Sequence, residues 1–307
     1  MQELMVYAGC MDTYTRCNEV LERFTMIQVS PSQVYRVTES VSEALTGEDD
    51  KAERKLGPIS KADVLYVEID GSLVCTRDKE SWKEVKLGRL FRGADCLNPN
   101  SDASHLCDSQ YVGHFGKSVD FCKKLKDVID SYGDLKDRLV FINDGAAWIR
   151  EWIADNYPLA ISVLDIYHAL EYLYGFAEKA FPDQPEKKQW CDCQKELLLA
   201  SQVHTVIDNI KAVNAKEDEK KKLIGYYQNN THRMKYKLYR NIGCGIIGSG
   251  AIESAHRTVI QKRMKLAGQR WSFKGVKNML RLRIIDMNNQ WGKVIEILKS
   301  PPAEQAA

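Results

Sequence analysis

The sequence predicts an α/β protein whose mixed sheet is flanked by helices. Three observations carry that expectation. β-rich runs joined by turn residues occupy residues 64–91, apolar strands alternate with amphipathic helices over residues 118–181, and residues 182–242 are helical and polar throughout. A chain of 307 residues with 44% hydrophobic content can bury a sizeable core.

The first fifty residues read as helical. After a segment around Thr15 to Thr25, Ser30 is placed to cap a helix with Pro31 at its first position, and Val34, Val37, Val41 and Leu45 recur at helical spacing. Two such helices form either half of a helix-turn-helix or a small packing pair. The charged stretch GEDDKAERKLGPISK, residues 47–61, reads as a linker. VLYVEIDG (64–71), SLVCTR (72–77) and WKEVKLGRLF (82–91) then read as an antiparallel meander, with a less regular stretch from Cys96 to His114 after it. A helix over SVDFCKKLKDVIDSYG follows, then the strand RLVFINDG, the helix AAWIREWIADNYP, and LAISVLDIYHALEYLYGFAEKAF, a strand running into a helix. KAVNAKEDEKKK is a solvated face or loop. Beyond it come a Gly-rich turn, a helix from Ala251 to about Ala267, a last helix from about Ser272 to Leu298, and the frayed tail PPAEQAA. Three strands, helix, strand, helix, strand, helix is the order of the ribonuclease-H-like plan.

Net charge is only +2, yet residues 231–285 hold thirteen Lys/Arg and a single acid, Glu253. That asymmetry points to a polyanion-binding segment within an otherwise acidic chain. Nine scattered cysteines suit reduced thiols, and Cys191-Asp192-Cys193 with His204 matches none of the paired two-spacer zinc patterns. No signal-peptide pattern opens the chain and no run reaches membrane-span length, so the protein reads as cytosolic with no membrane partner.

Two apolar runs end in Asp-Gly: YVEIDG at Asp70 and VFINDG at Asp144. Asp70-Gly71 is also a good two-residue hairpin turn, and Asp144 is also a plausible helix N-cap. In the plan above, however, the first and fourth strands are neighbours at the sheet centre, which sets Asp70 beside Asp144. Like charges so close are unfavourable without a cation between them. With Glu253 on a helix packed against the sheet, three hard oxygen donors suit Mg²⁺, with Mn²⁺ as a substitute, and a metal pair there would drive in-line phosphoryl transfer. The basic segment would hold the nucleic-acid backbone against it. Glu253 also has a bland reading, as the N3 residue of a helix capped at Gly250.

The set YVEIDGSLVCTR, WKEVKLG, VFINDGAAWI, VLDIYHALEYL and GSGAIESAHRTVIQKRMKLAGQRWS resembles the DDE transposases of bacterial insertion sequences, closest to the ISKra-type family in the Mutator-like group. The resemblance covers about residues 30–285 and is most specific in its last motif. It implies Asp70, Asp144 and Glu253 as catalytic, metal-binding acids. Asp165-Ile166-Tyr167-His168 fits the group's Cys/Asp-x-x-His signature, and the helical stretch corresponds to an all-α insertion before the third acid. The resulting organisation is a helical segment (1–50), a first catalytic part (62–180), the insertion (181–242) and a last catalytic part with the C-terminal helix (243–298). The resemblance further implies cleavage of element ends and strand transfer into target DNA, a homo-oligomer on DNA, and a bacterial, nucleoid-associated location. Members of that family usually carry more sequence N-terminal to this linker, so a fragment, a truncated copy or a shorter variant is expected.

His168, Arg257, Lys262, Arg263, Lys265, Arg270 and Trp271 are the candidate nucleic-acid contacts. Each has a bland counterpart: His168 as a core or capping histidine, Arg257 as an i,i+4 partner of Glu253, and Trp271 as core rather than a base-stacking platform. Arg233, Lys237 and Arg240 form a stripe opposite Met234, Leu238 and Ile242, read as a solvated face or a phosphate contact. Trp148 and Trp152 are assigned to packing. The competing functions are a ribonuclease-H-fold nuclease or resolvase, which the long insertion disfavours, and a truncated or domesticated DNA-binding protein without catalysis, which the intact acid triad disfavours.

Overall fold

The computed structural model describes residues 1–47, 53–78, 81–99 and 104–299. Part of the charged linker expectation over residues 47–61, at residues 48–52, lies outside them, as does the tail PPAEQAA. The chain begins with three helices, α1 (Gln2–Met11), α2 (Tyr14–Thr25) and α3 (Pro31–Ala44). Ser30 caps α3 through the Gln33 amide, with Pro31 at the first position, as the sequence predicts. The three helices do not stand apart. Arg281 donates to the Ser42 carbonyl at 2.7 Å and Arg263 donates to the Gly9 carbonyl at 2.8 Å, so both α1 and α3 are fastened to the C-terminal part of the chain.

A five-stranded mixed sheet follows: β1 (Leu65–Cys75), β2 (Trp82–Arg92), β5 (Gln110–Phe115), β6 (Leu139–Asn143) and β7 (Ile161–Leu164), in the order β5-β2-β1-β6-β7. A two-residue ribbon, β3 (Cys96–Leu97) with β4 (His105–Leu106), lies between β2 and β5. β1, β2 and β5 are antiparallel, whereas β6 runs parallel to β1 and β7 parallel to β6. α4 (Ser118–Asp130), α5 (Ala147–Asn156) and α6 (Ile166–Ala180) connect and follow the later strands.

Two strand expectations are corrected here. Asp70-Gly71 is not a hairpin turn: β1 is one eleven-residue strand, with Asp70 opposite Leu87 and Gly71 opposite Lys86. The turn falls after Cys75, where the Thr76 amide donates to the Ser81 carbonyl. The third strand of the meander is therefore β5, inside the stretch read as irregular.

Side-chain alternation divides the sheet between its two faces. Leu65, Val67, Ile69 and Phe141 pack under α4 and α5 with Phe121, Ile149 and Ile153, and Trp148 and Trp152 join them as partly buried packing residues. Tyr66, Val140 and Ile142 face the other way, against α6 and the helical stretch α7 (Gln184–Leu199), α8 (Val203–Ala212), α9 (Glu217–Asn230) and α10 (Tyr236–Tyr239). That stretch is bound to the sheet by more than apolar contact. Arg233, wholly buried, donates to Asn143 Oδ1 at 2.7 Å, to Ser162 Oγ at 3.0 Å and to Asn230 Oδ1 at 3.0 Å. The expected solvated stripe is thus corrected: Arg233 is an internal tie, and Leu238, placed on its apolar side, is exposed.

The chain leaves α10 through a Gly-rich turn. Gly243 has φ +55, and a Cβ there would lie 2.3 Å from Val64 Cγ2, so the turn can close on β1 only with glycine at this position. α11 (Gly250–Ala255), a π-helical turn over His256–Gln261 and α12 (Lys262–Met264) come next. The expected single last helix is two, α13 (Phe273–Met287) and α14 (Gly292–Lys299), because Asn289 takes φ +56 between them. Among the described residues no helix is long and apolar enough to cross a membrane.

Arg233→Met should lower unfolding free energy by about 3 kcal/mol, since it strands the buried acceptors at the ends of β6 and β7. Urea denaturation reads this directly. A loss below about 1 kcal/mol would mean the tie carries little.

Candidate active site

The parallel β1–β6 ladder ends with Glu68 opposite Ile142. Carried two residues further, that register sets Asp70 level with Asp144, and alternation puts both on the face occupied by Tyr66, Val140 and Ile142. α11 lies on the same side, held against β1 and β2, and brings Glu253 to this end of the sheet. By register and alternation the backbone positions of Asp70 and Asp144 and the start of α11 share one face near the sheet centre.

Their side chains are turned to protein partners. Asp70 accepts from its own Gly71 amide at 2.7 Å, and its Oδ2 lies 3.2 Å from His256 Nε2, close enough for an ion pair but without the alignment of a hydrogen bond. His256 is 4% exposed. Asp144 Oδ1 accepts from the Ala146 amide at 3.0 Å in a local turn; the expected N-cap role is corrected, since α5 is capped at Ala146, two residues later, with no side-chain cap bond. Glu253 is exposed, with Oε1 3.2 Å from Ser249 Oγ. Ser249 precedes α11 and Gly250 is its first residue, one position away from the expected cap.

Among the described residues no group of three or more His, Cys, Asp and Glu side chains is arranged to hold a metal ion. The three-acid convergence expected from the sequence is therefore one of backbone placement, not a formed cage. By kind, the donors fit a hard divalent cation: carboxylates from adjacent strand positions, with no thiolate among them.

Beside the acids, Asp165 organises the junction between β7, α6 and α11. It is fully buried, and its oxygens accept from the amides of Tyr167 and Ser249, each at 3.0 Å, and from Ser249 Oγ at 2.6 Å, with His168 Nδ1 at 2.5 Å. Burial alone would raise its pKa; the hydrogen bonds from His168 and Ser249 outweigh this and hold it below the ordinary value. The same bond raises His168 to about 9, so its ring is an imidazolium at neutral pH. His168 is thus a charged member of a structural network, half-buried next to Asp144.

Of the other predicted contacts, Arg257, Lys262, Lys265 and Arg270 are exposed. A π turn begins at His256, between Glu253 and Arg257. Lys265 is near enough to Asp70 to feel its charge, though burial is the larger effect and lowers its pKa. Arg263 and Trp271 are corrections. Arg263, 1% exposed, lies between the rings of Tyr14 and Trp271, at 5.0 and 4.9 Å from their centroids. Trp271 donates to the Met264 carbonyl and bridges to Thr76 at the end of β1. Neither is offered to a partner.

Two functional features escaped the sequence reading. His256 was one, although it stands three residues after Glu253. Glu68 was the other, although strand alternation places it on the face of Asp70. Its carboxyl is fully buried, which pushes its pKa up to about 8 despite the Ile252 amide and Arg89, and its Oε1 has no partner. A groove of about 1280 Å³ runs from the start of α11 between α6 and α7, lined by Tyr167, Tyr174, Lys195, Arg240 and Ser254.

Fold and site together define a mixed α/β protein with a five-stranded sheet, many helices and exposed cations in its C-terminal part. Residues 2–299 match the model described as "Uncharacterised protein family (UPF0236)", and the chain belongs to that family. It is similar to the "UPF0236 protein in vanSb 3'region" of Streptococcus gallolyticus, with 25% identity over 296 residues, 94% of this chain and 63% of the relative. The chain thus spans less than two thirds of that relative's length.

The Asp165–His168 pair carries a pH signature. A histidine raised from 6.5 to about 9 contributes stability that is fully present below pH 6.5 and lost as pH rises through about 9. The difference in Tm between wild type and His168→Gln should therefore shrink between about pH 6 and pH 10. A difference that stays constant over this range would contradict the assignment.

Proposed function

We propose that this chain is the catalytic portion of a DDE-type DNA transposase, a polynucleotidyl transferase acting on insertion-sequence ends and target DNA with Mg²⁺ or Mn²⁺. The observation that carries the reading is the β1–β6 register, which supports a pairing of Asp70 with Asp144 when it is carried two residues past Glu68 and Ile142. The strand order β5-β2-β1-β6-β7, with an antiparallel meander followed by parallel strands, supports a ribonuclease-H-like core. The helical stretch between β7 and α11 supports an all-α insertion before the third acid.

In this reading Asp70 and Asp144 hold the metal, and Glu253 completes its carboxylate set from α11. When bound, the metal supplies activation of a water or 3′-hydroxyl and stabilisation of the leaving oxygen. Lys262, Lys265, Arg257 and Arg270 bind the phosphate backbone beside the acids. His168 steadies the Asp165 network and presents positive charge toward Asp144.

A second reading, a DNA-binding protein without catalysis, is favoured by one observation: Asp70 lies against His256 rather than in a three-donor cage. The two separate in one experiment. Asp144→Asn should reduce Mg²⁺-dependent nicking of supercoiled plasmid on the order of a thousandfold, equivalent to about 4 kcal/mol, while leaving DNA affinity intact. Nicking at the wild-type rate in that variant would sink the mechanism.

The surface contribution has its own readout. Combining Lys262→Ala, Lys265→Ala and Arg270→Ala should weaken binding and flatten the slope of log K against log salt by up to about 0.9 per lost contact. An unchanged slope would place the DNA elsewhere.

A further inference from the structure

One cross-strand pair grips the helix that carries Glu253. Glu68 on β1 and Arg89 on β2 stand directly opposite each other in the antiparallel ladder. Glu68 Oε2 accepts from the Ile252 amide at 2.6 Å, and Arg89 Nη1 donates to the Ala251 carbonyl at 2.6 Å. Those two backbone atoms are the opposite ends of a single peptide group, the one that leads into Ile252, the residue before Glu253.

We infer that Glu68 and Arg89 clamp the Ala251–Ile252 peptide at both ends and thereby set the position of Glu253 relative to Asp70. They are positioning residues, and the importance of the position they set rests on the phosphoryl-transfer reading. Four features support the clamp. The amide of Ile252 is the third of α11, the donor that a capping side chain usually satisfies. Ser249 at the cap makes no such bond, because its hydroxyl is directed to Asp165 at 2.6 Å. The acceptor is supplied instead by the sheet.

Burial is the second feature. Glu68 is wholly buried and Arg89 is 8% exposed. An apolar side chain would fill the Glu68 position at less cost if packing were the only requirement. Third, Arg89 is itself braced, its Nε donating to Ser109 Oγ at 2.9 Å and its guanidinium lying 5.4 Å from the Tyr111 ring centroid. Finally, the geometry is two-ended. An acceptor alone would fix the depth of α11 on the sheet, whereas a donor and an acceptor on one peptide also fix its rotation about the helix axis, and hence the direction of Glu253. Because Glu68 and Asp70 are two residues apart on one strand face, the clamp refers Glu253 to the same strand that presents Asp70.

The test uses the full chain, with Mg²⁺-dependent nicking of supercoiled plasmid and amide hydrogen exchange at Ile252 measured in parallel. Glu68→Leu keeps the volume apolar and removes the acceptor. Exchange at Ile252 should quicken at least about tenfold, and kcat should fall about a hundredfold, the usual consequence of a displacement near 1 Å, with KM for plasmid changed less than about twofold. Glu68→Gln should restore protection and most of kcat. Should Glu68→Leu fail to fold, Arg89→Met tests the carbonyl end with the same expected split of kcat from KM. Unaltered Ile252 exchange, or unaltered kcat in an active wild type, would overturn the clamp. A wild type inert on DNA, with Ile252 exchange still quickened in Glu68→Leu, would overturn the phosphoryl-transfer reading and uphold the clamp.

Discussion

The parallel β1–β6 ladder, whose last pair is Glu68 opposite Ile142, is the constraint on which the rest of this structure depends. Carried two residues further, its register brings the Asp70 position level with Asp144, and like charges at neighbouring positions repel. Something must offset that repulsion. In this structure Lys265 lies close to Asp70 and the His168 imidazolium near Asp144. Positive charge gathered around the acids in this way would also attract phosphate, which links the electrostatics of this end of the sheet to the basic segment that follows it.

The fold holds this end of the sheet from three directions. Arg233 reaches from the helical stretch after β7 to the last residue of β6, one position before Asp144. Asp165 joins the start of α6 to the start of α11. Trp271 and the end of β1 exchange backbone hydrogen bonds, with the Trp271 amide donating to the Cys75 carbonyl. Each tie is polar and buried, and each lies within a few residues of an acid or of the helix that bears one. Apolar packing sets the layers, while these directional bonds set the relative position of the acids, because a hydrogen bond specifies an angle and an apolar contact does not.

Where local pattern and tertiary outcome agreed, the sequence was readable. RLVFIN and AISVL became β6 and β7, and Ser30-Pro31 capped α3, since each signal is contained in a few adjacent residues. Asp70-Gly71 misled because a turn dipeptide was overridden by the ladder to β2, which continues for four more pairs past Gly71. β5 was hidden in a stretch with little alternation: Gly113 packs against Ile284, and Asn288 supplies hydrogen bonds to both backbone groups of Tyr111. Arg233 and Arg263 looked like surface cations because charge in a sequence does not reveal burial. The candidate acids were legible by residue type and spacing, whereas His256 and Glu68 became visible only through contacts made by elements far apart in the chain.

The central claim is that Asp70 and Asp144 act as one divalent-cation site. Its most direct test is Mn²⁺ binding followed by electron paramagnetic resonance, comparing the wild type with Asp70→Asn and Asp144→Asn. The account predicts Mn²⁺ bound by the wild type, weakened at least about tenfold by either substitution and displaced by Mg²⁺. Mn²⁺ binding that is the same in all three proteins would contradict it.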